Sequence, residues 1–447
     1  MRYRVDAETR IDGHQIVGGS PPSVLTVSEA GRHTLDRIIA GDDVEPGQLL
    51  DRLVDLGIVH PAVDPAPLVD SSGRPRVSVV TPTLGEPAHR QHHGLDPQQV
   101  IIVDDGSAPP VEGATIRSEH NLGPAAARNR GIEMVTTEFC AFVDADVDTR
   151  RDGGDSGRWL ESLLAHFDDP RVAAVAPRIR SRPGPGLRAR YDHRHGALDL
   201  GDREGPVRPG TRVAYVPSAV LVCRTDAVRD IGGFDETLRT GEDVDLIWRL
   251  VAAGHRVRYD PSVEVLHEPR ATWRAWIEQR IGYGESTAPL EKRHPGRLAP
   301  LVTSPWSAAA IAAVIVPRRW WRGLPLSTTI VVVASLRLRR RVHELDLAAS
   351  ARVVSVGTMR TAEALTKATR RAWWPVVIAL CWLRPIRRLA VISAIAARSP
   401  IAVVDDVAHG LGVWRGMLRE RSLAAIIPRL VTGRPERATT STYHSRS

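Results

Sequence analysis

Three stretches are rich in β-branched and apolar residues: RVSVVTPT (76–83), VIIVDDGS (100–107) and FCAFVDADV (139–147). Such runs suit strands covered on both faces, because a half-exposed strand alternates apolar with polar residues. Between the second and third lies LGPAAARNRGIEMV (122–135), alanine-rich and predicted to be helical. Strand, helix and strand in that order predict an α/β fold with a parallel sheet and right-handed crossovers.

Ligands of such sheets bind beyond the carboxyl ends of the strands. Here those ends are acidic. Asp104 and Asp105 close one run; Asp144, Asp146 and Asp148 close another at a spacing of two. Carboxylates gathered on one rim repel unless a cation or hydrogen-bond donors join them. A carboxylate set without cysteine suits Mg²⁺ or Mn²⁺, which commonly bridges protein to phosphate. No GxxxxGK[ST] or GxGxxG segment occurs. The pattern therefore favours a nucleotide diphosphate held through D-x-D and a metal, with ordinary solvated strand ends as the alternative.

At 447 residues the chain has room for two or three domains. Residues 1–65 predict a small winged-helix-like module: a helix after Ser28 ending at Gly41, a second around 46–57, then a short strand at IVHP. Residues 28–60 hold seven acids and three arginines, the wrong sign for nucleic acid. A structural cap or a peptide-binding module fits better. A Pro-rich linker leads to the α/β domain expected at 76–300.

Residues 301–447 differ. They carry 23 Arg/Lys against 7 Asp/Glu, although the whole chain has a net charge of +8, so the rest is acidic. Apolar runs at 301–317, 323–336 and 372–383 are each followed by arginines, and seven of the 11 tryptophans lie in this third. None reaches the ~20 residues of a membrane span. Helices lying on an anionic membrane surface are expected over 301–432, with buried soluble helices as the alternative and a disordered tail at 433–447. The first dozen residues lack the apolar stretch of a secretory signal, and Cys140, Cys223 and Cys381 are scattered. Both point to the reducing cytoplasm, at the inner face of the membrane.

VSVVTPT, VIIVDDGS, HNLGPAAARNRG, VDADV, GGFDE and GEDVDLIWRL stand in the order seen in family 2 glycosyltransferases, which the chain resembles over about 175 residues. The resemblance implies a GT-A fold, a nucleotide-sugar donor, a divalent metal and inversion. It implies that Thr81, Pro82, Asp104, Asp105 and Arg128 face the nucleotide, and that Asp144 and Asp146 hold ribose and metal. It makes Asp243 the general base and sets Glu242 near the acceptor. These two acids and Asp245 open a helix whose N-terminus favours the ionised form. Asp235, in GGFDE, would orient the preceding loop. His267, in VLHEP, is a third metal ligand or an ordinary half-buried histidine.

Two departures stand out. The crossover at 84–99 is short and lacks an apolar face, which puts Glu86 in doubt as a nucleotide contact. The Q-x-x-R-W motif of processive synthases is absent.

A narrower resemblance, to the mycofactocin glycosyltransferases of actinobacteria, rests on the N-terminal module, YGESTAPLEKRHPGRLAP and DDVAHGLGVWRG. It implies transfer of glucose from UDP-glucose onto a peptide-derived redox cofactor in β-1,4 linkage. A cell-wall or teichoic-type transferase is one alternative. A non-catalytic nucleotide-sugar-binding membrane scaffold is another, opposed by the intact acids at 144, 146, 242 and 243.

Overall fold

The computed structural model describes residues 1–86, 96, 99–149, 158–342 and 345–431. Most of the crossover at 84–99 and the whole tail expected at 433–447 lie outside them. Two compact units result, Met1–Gln279 and Arg280–Ser447, a division that falls before the boundary expected at residue 300.

The first unit opens with β1 (Arg2–Val5), β2 (Arg10–Asp12), β3 (Gln15–Gly18), β4 (Ser23–Thr26), α1 (Glu29–Ala40), α2 (Gln48–Asp55) and β5 (Val59–Ala62). The Ser28 hydroxyl accepts from the Gly31 N–H at 3.3 Å, and Gly41 ends α1 in the left-handed region at φ 80°. These are the cap and stop the sequence predicts. The expected helices and final strand are preceded by a three-stranded antiparallel sheet, β2-β3-β4, while β5 returns to pair with β1. Leu35, Leu53 and Ile58 are fully buried here, each stabilising by roughly 1.5–3 kcal/mol.

The acidity of this module has an internal use. Asp55 lies 2.7 Å from Arg256, which also holds Asp169 at 2.5 Å, and Asp51 pairs with Arg171. The acids of α2 thus dock onto arginines of the neighbouring sheet.

That sheet comprises β6 (Val77–Thr83), β7 (Val100–Asp104), β8 (Ile116–Arg117), β9 (Phe139–Val143), β10 (Val147–Asp148), β11 (Val172–Ser181), β12 (Gly205–Pro206), β13 (Val220–Arg224) and β14 (Arg256–His267). Its helices are α3 (Pro124–Met134), α4 (Arg158–Leu164), α5 (Gly186–His195), α6 (Thr225–Asp230) and α7 (Glu242–Ala252). The strand order is β10-β14-β11-β13-β9-β6-β7-β8, with β12 beside β14. β8, β7, β6 and β9 are parallel, as predicted. β13 then runs antiparallel to both β9 and β11, and β10 and β12 run antiparallel to β14, so the whole sheet is mixed.

Both faces are covered. Val77, Val79, Phe139 and Ala141 pack with Trp159, Leu160 and Leu163 of α4. On the other face α3 lies so close that a Cβ on Gly131 would sit 2.2 Å from Val80 Cγ1.

α8 (Trp273–Glu285) spans the division between the units. The second unit continues with α9 (Thr287–Arg293), β15 (Val302–Thr303), α10 (Pro305–Ile315), α11 (Leu324–Arg341), α12 (Leu347–Arg371), α13 (Trp374–Ala379), α14 (Arg384–Ala396), α15 (Pro400–Glu420) and β16 (Arg429–Leu430). The DDVAHGLG segment builds its interior. Asp406 holds Arg370 and Arg371 at 2.6 Å each, and Asp405 holds Arg280 at 3.1 Å. A Cβ on Gly412 would lie 1.9 Å from the Ile281 carbonyl, so only glycine permits this backbone approach.

The first apolar run buries Leu301, Ala310 and Ala313, but the second and third do not form an internal core. In α11 only Ala334 and Ser335 are buried, in α14 only Ser393, and in α13 nothing is. Trp320, Trp321, Ile378, Trp382 and Ile395 stand exposed. Among the described residues no helix is long and apolar enough to cross a membrane.

Candidate active site

β6, β7 and β9 end on one edge of the sheet, with Thr83 opposite Asp104. β14 reaches the same region, where His267 pairs with Val147 of β10. The predicted acids meet here but divide into two kinds.

The first kind shapes loops. Asp104 is fully buried and accepts from the N–H groups of Ser107 (2.8 Å) and Val111 (3.1 Å) and from Arg117 (2.7 Å). Asp105 accepts from Leu122 at 3.0 Å and Gly123 at 2.8 Å, fastening the entrance of α3 beneath β7. Asp148 pairs with Arg182 at 2.8 Å. Asp245 holds Arg249 at 2.6 Å, and Arg249 reaches the carbonyls of Ile231 and Gly233. Asp235 closes a turn by accepting from the Thr237 hydroxyl at 2.6 Å. The Asp235 contact fastens the turn that follows, not the preceding loop expected from the sequence.

The second kind converges on Arg128. This side chain is 3% exposed and forks between Asp144 at 2.6 Å and Glu242 at 2.9 Å. Its guanidinium lies over the Phe234 ring, 5.5 Å from the centroid. Phe234 packs edge-on against Phe142, and Asn129 fixes its backbone by accepting from its N–H at 2.8 Å and donating to its carbonyl at 2.9 Å. GGFDE is therefore the floor under the arginine.

Burial raises the Asp144 carboxyl above the usual range, against the pull of Arg128. Burial and the charge of Asp243 push Glu242 up to about 7, with Arg128 opposing. Asp243 is half-buried and accepts from the Val244 N–H at 2.8 Å; burial raises its carboxyl too. For Glu242 and Asp243 the expectation that the helix N-terminus keeps them readily ionised is reversed, because desolvation outweighs the helix field.

A second cluster sits beside the first. His267 Nε2 lies 3.1 Å from Asp146, and Arg270 approaches the same carboxylate at 3.7 Å. Burial pushes Asp146 up, but His267 and Arg270 together bring it below the usual range. Burial lowers the imidazole in turn, and Asp146 more than restores it. Glu86 lies 3.9 Å from Arg270, and burial together with Asp146 raises its carboxyl. The residue put in doubt by the short crossover thus stands beside the predicted acids. Arg270 was missed in the sequence; its signal is its place three residues after His267 in HEPR. Thr81 is buried, with a hydroxyl lacking a hydrogen-bond partner among the described residues, and Pro82 is half-buried next to it. Also among the described residues, no group of three or more His, Cys, Asp or Glu side chains forms a ready-made ion cage.

Residues 88–232 match the model of glycosyl transferase family 2. Pre-mycofactocin glycosyltransferase of Mycobacterium tuberculosis (strain H37Rv) is 39% identical, over 96% of this chain and 97% of that protein. The chain belongs to the pre-mycofactocin glycosyltransferase family. A succinoglycan biosynthesis protein of Rhizobium meliloti is 30% identical over 23% of this chain and 32% of its own length. A mannosyltransferase of Pyrobaculum calidifontis, solved with GDP-Man and Mn²⁺, superimposes with a TM-score of 0.38 at 17% identity, covering 77% of this chain and 89% of that one.

As a member of the pre-mycofactocin glycosyltransferase family, the protein is an enzyme that transfers a sugar. The family 2 match takes in Asp104, Asp105, Arg128, Asp144 and Asp146 but ends before Glu242, Asp243 and His267. For those three, geometry alone supplies the connection to the site.

Proposed function

We propose that the protein transfers glucose from UDP-glucose onto pre-mycofactocin, a peptide-derived acceptor, with inversion and growth of a β-1,4-linked chain. The observation that carries this is the Arg128 fork. It draws the end of β9 and the start of α7 together, so a donor-side acid and an acceptor-side acid share one buried cation. The named relative supports the acceptor, since similarity extends over nearly the whole of both chains.

In this mechanism Thr81, Pro82, Asp104 and Asp105 form the nucleotide side of the rim. The loops fastened by Asp104 and Asp105 shape it. Arg128 stabilises negative charge beside the departing diphosphate and holds Asp144 for the ribose. Asp243, half-buried and next to Glu242, takes the proton from the acceptor hydroxyl. Its raised pKa makes it a stronger base than an ordinary carboxylate. Glu242 keeps Arg128 in place and faces the acceptor.

The donor set fits a hard divalent cation, Mg²⁺ or Mn²⁺. Asp146 and His267, already adjacent, would hold it, with Asp144 as a further ligand if released from Arg128. When bound, the cation would neutralise charge on the diphosphate.

Two further assignments belong to the proposal. Residues 1–65 receive the peptide portion of the acceptor. The exposed Trp, Ile and Arg side chains of the second unit rest on the anionic inner surface of the cell membrane. The test is mass spectrometry of pre-mycofactocin after incubation with UDP-sugars. Hexose additions with UDP-glucose are expected. UDP release with the acceptor unmodified would sink the acceptor assignment.

A further inference from the structure

The turn between α10 and α11 meets the start of α14 at Arg388. Its guanidinium donates to the Ile315 carbonyl at 3.2 Å and to the carbonyls of Pro317 and Arg318. These contacts fix Arg388 at the end of α10, where unpaired carbonyls attract a cation. Arg318, Arg384, Arg387 and Arg388 line a pocket of about 240 Å³, with no acidic side chain in its wall. No described carboxylate forms an ion pair with Arg318, Arg384 or Arg387. Four positive charges this close repel one another, so the arrangement favours a bound anion. A phosphate group suits it, since guanidinium forks pair with its oxygens two at a time. The volume is below that of a drug-sized ligand site and matches a compact anion.

The surroundings point to the source of that phosphate. Trp320 and Trp321 follow Arg318 on the first turn, 55% and 53% exposed. Trp382, 71% exposed, precedes Arg384 on the second. Exposed tryptophan beside arginine is the composition of a surface seated at the head-group level of a bilayer.

We propose that this pocket binds the phosphate of an anionic lipid head group. The lipid source rests on the membrane-surface reading above; the phosphate chemistry rests on the pocket alone. Free phosphate or diphosphate offers the same chemistry without using the tryptophans.

The experiment uses the full-length protein and flotation with vesicles of phosphatidylcholine, with and without phosphatidic acid, at physiological salt. Wild type is compared with Arg384→Gln/Arg387→Gln. A second variant, Arg339→Gln/Arg340→Gln, removes the same charge from the exposed last turn of α11. Melting temperature and UDP release are followed in all three as folding controls. A parallel calorimetric titration uses inorganic phosphate and diphosphate.

Loss of two lipid-facing charges predicts about 30-fold weaker binding of phosphatidic acid vesicles by the pocket variant. The α11 variant should fall by no more than about 3-fold, a diffuse effect that salt screens. Equal weakening in both variants, or none in either, would overturn the pocket. Phosphate binding lost in the pocket variant, with no vesicle binding by wild type, would overturn both the lipid source and the membrane reading while leaving the anion site standing.

Discussion

Replacing Arg128 with methionine tests the electrostatic design of the site. The side chain is 3% exposed and is shared by Asp144 at 2.6 Å and Glu242 at 2.9 Å. Removing one partner of a buried ion pair typically costs about 3–5 kcal/mol. The carboxyls can escape part of that cost by taking up protons, at about 1.4 kcal/mol for each unit of pKa shift.

The sign follows from their present state. Glu242 stands at about 7 with Arg128 in place, and Asp144 is raised as well. A carboxyl raised above its unfolded value carries no penalty at low pH and loses stability as pH rises through its folded pKa. Arg128→Met raises both further, so the variant should diverge from wild type with increasing pH. At pH 8 most of the cost applies, roughly 6–20 °C in melting temperature at ~2–4 °C per kcal/mol. At pH 5 the gap should shrink to roughly a few degrees, as protonation relieves the orphaned acids. Thermal melts followed by circular dichroism between these limits provide the assay. Arg128→Lys, which keeps the charge but loses the fork, should fall between. A gap that stays constant, or widens toward low pH, would refute the electrostatic account.

Three other outcomes follow from the same geometry. Asp146→Asn should abolish transfer while the protein stays folded by circular dichroism, with some loss of melting temperature as the His267 pair is broken, and wild-type activity should vanish with EDTA and return with Mn²⁺ or Mg²⁺; full turnover in EDTA would exclude the metal. Asp243→Asn should keep UDP-glucose binding while turnover falls by roughly 10²–10⁴-fold, and a variant that loses donor binding instead would move Asp243 to the nucleotide side. Gly412→Val should destabilise the second unit, since its Cβ would meet the Ile281 carbonyl at 1.9 Å; an unchanged melting profile would contradict that packing.

The parallel core strands, the cap and stop of α1, and the acids at the strand ends were legible because each depends on neighbours in sequence. β-branched runs specify β6, β7 and β9, and Ser28 and Gly41 need only their own turns. The identity of those acids was legible; their division of labour was not. Asp104, Asp105, Asp148 and Asp245 carry the same group as Asp144, Asp146 and Asp243, yet the first set is spent on loops and arginines outside the central cluster.

Only tertiary structure makes that division. Arg128 and Glu242 are 114 residues apart, and the fold brings them to 2.9 Å. Arg270 and Glu86 come together across an even longer stretch of chain. Glu242 rises to about 7 because its surroundings exclude water and set another carboxylate beside it. The arrangement of α11, α13 and α14 was open for the same reason. A sequence shows that a run is apolar, but whether the run lies in a core or on a surface depends on what packs against it. Here neighbouring helices leave much of the apolar surface uncovered, so Trp320, Trp382 and Ile395 face outward. Desolvation and long-range charge pairing are properties of enclosed space, and a linear sequence does not enclose any.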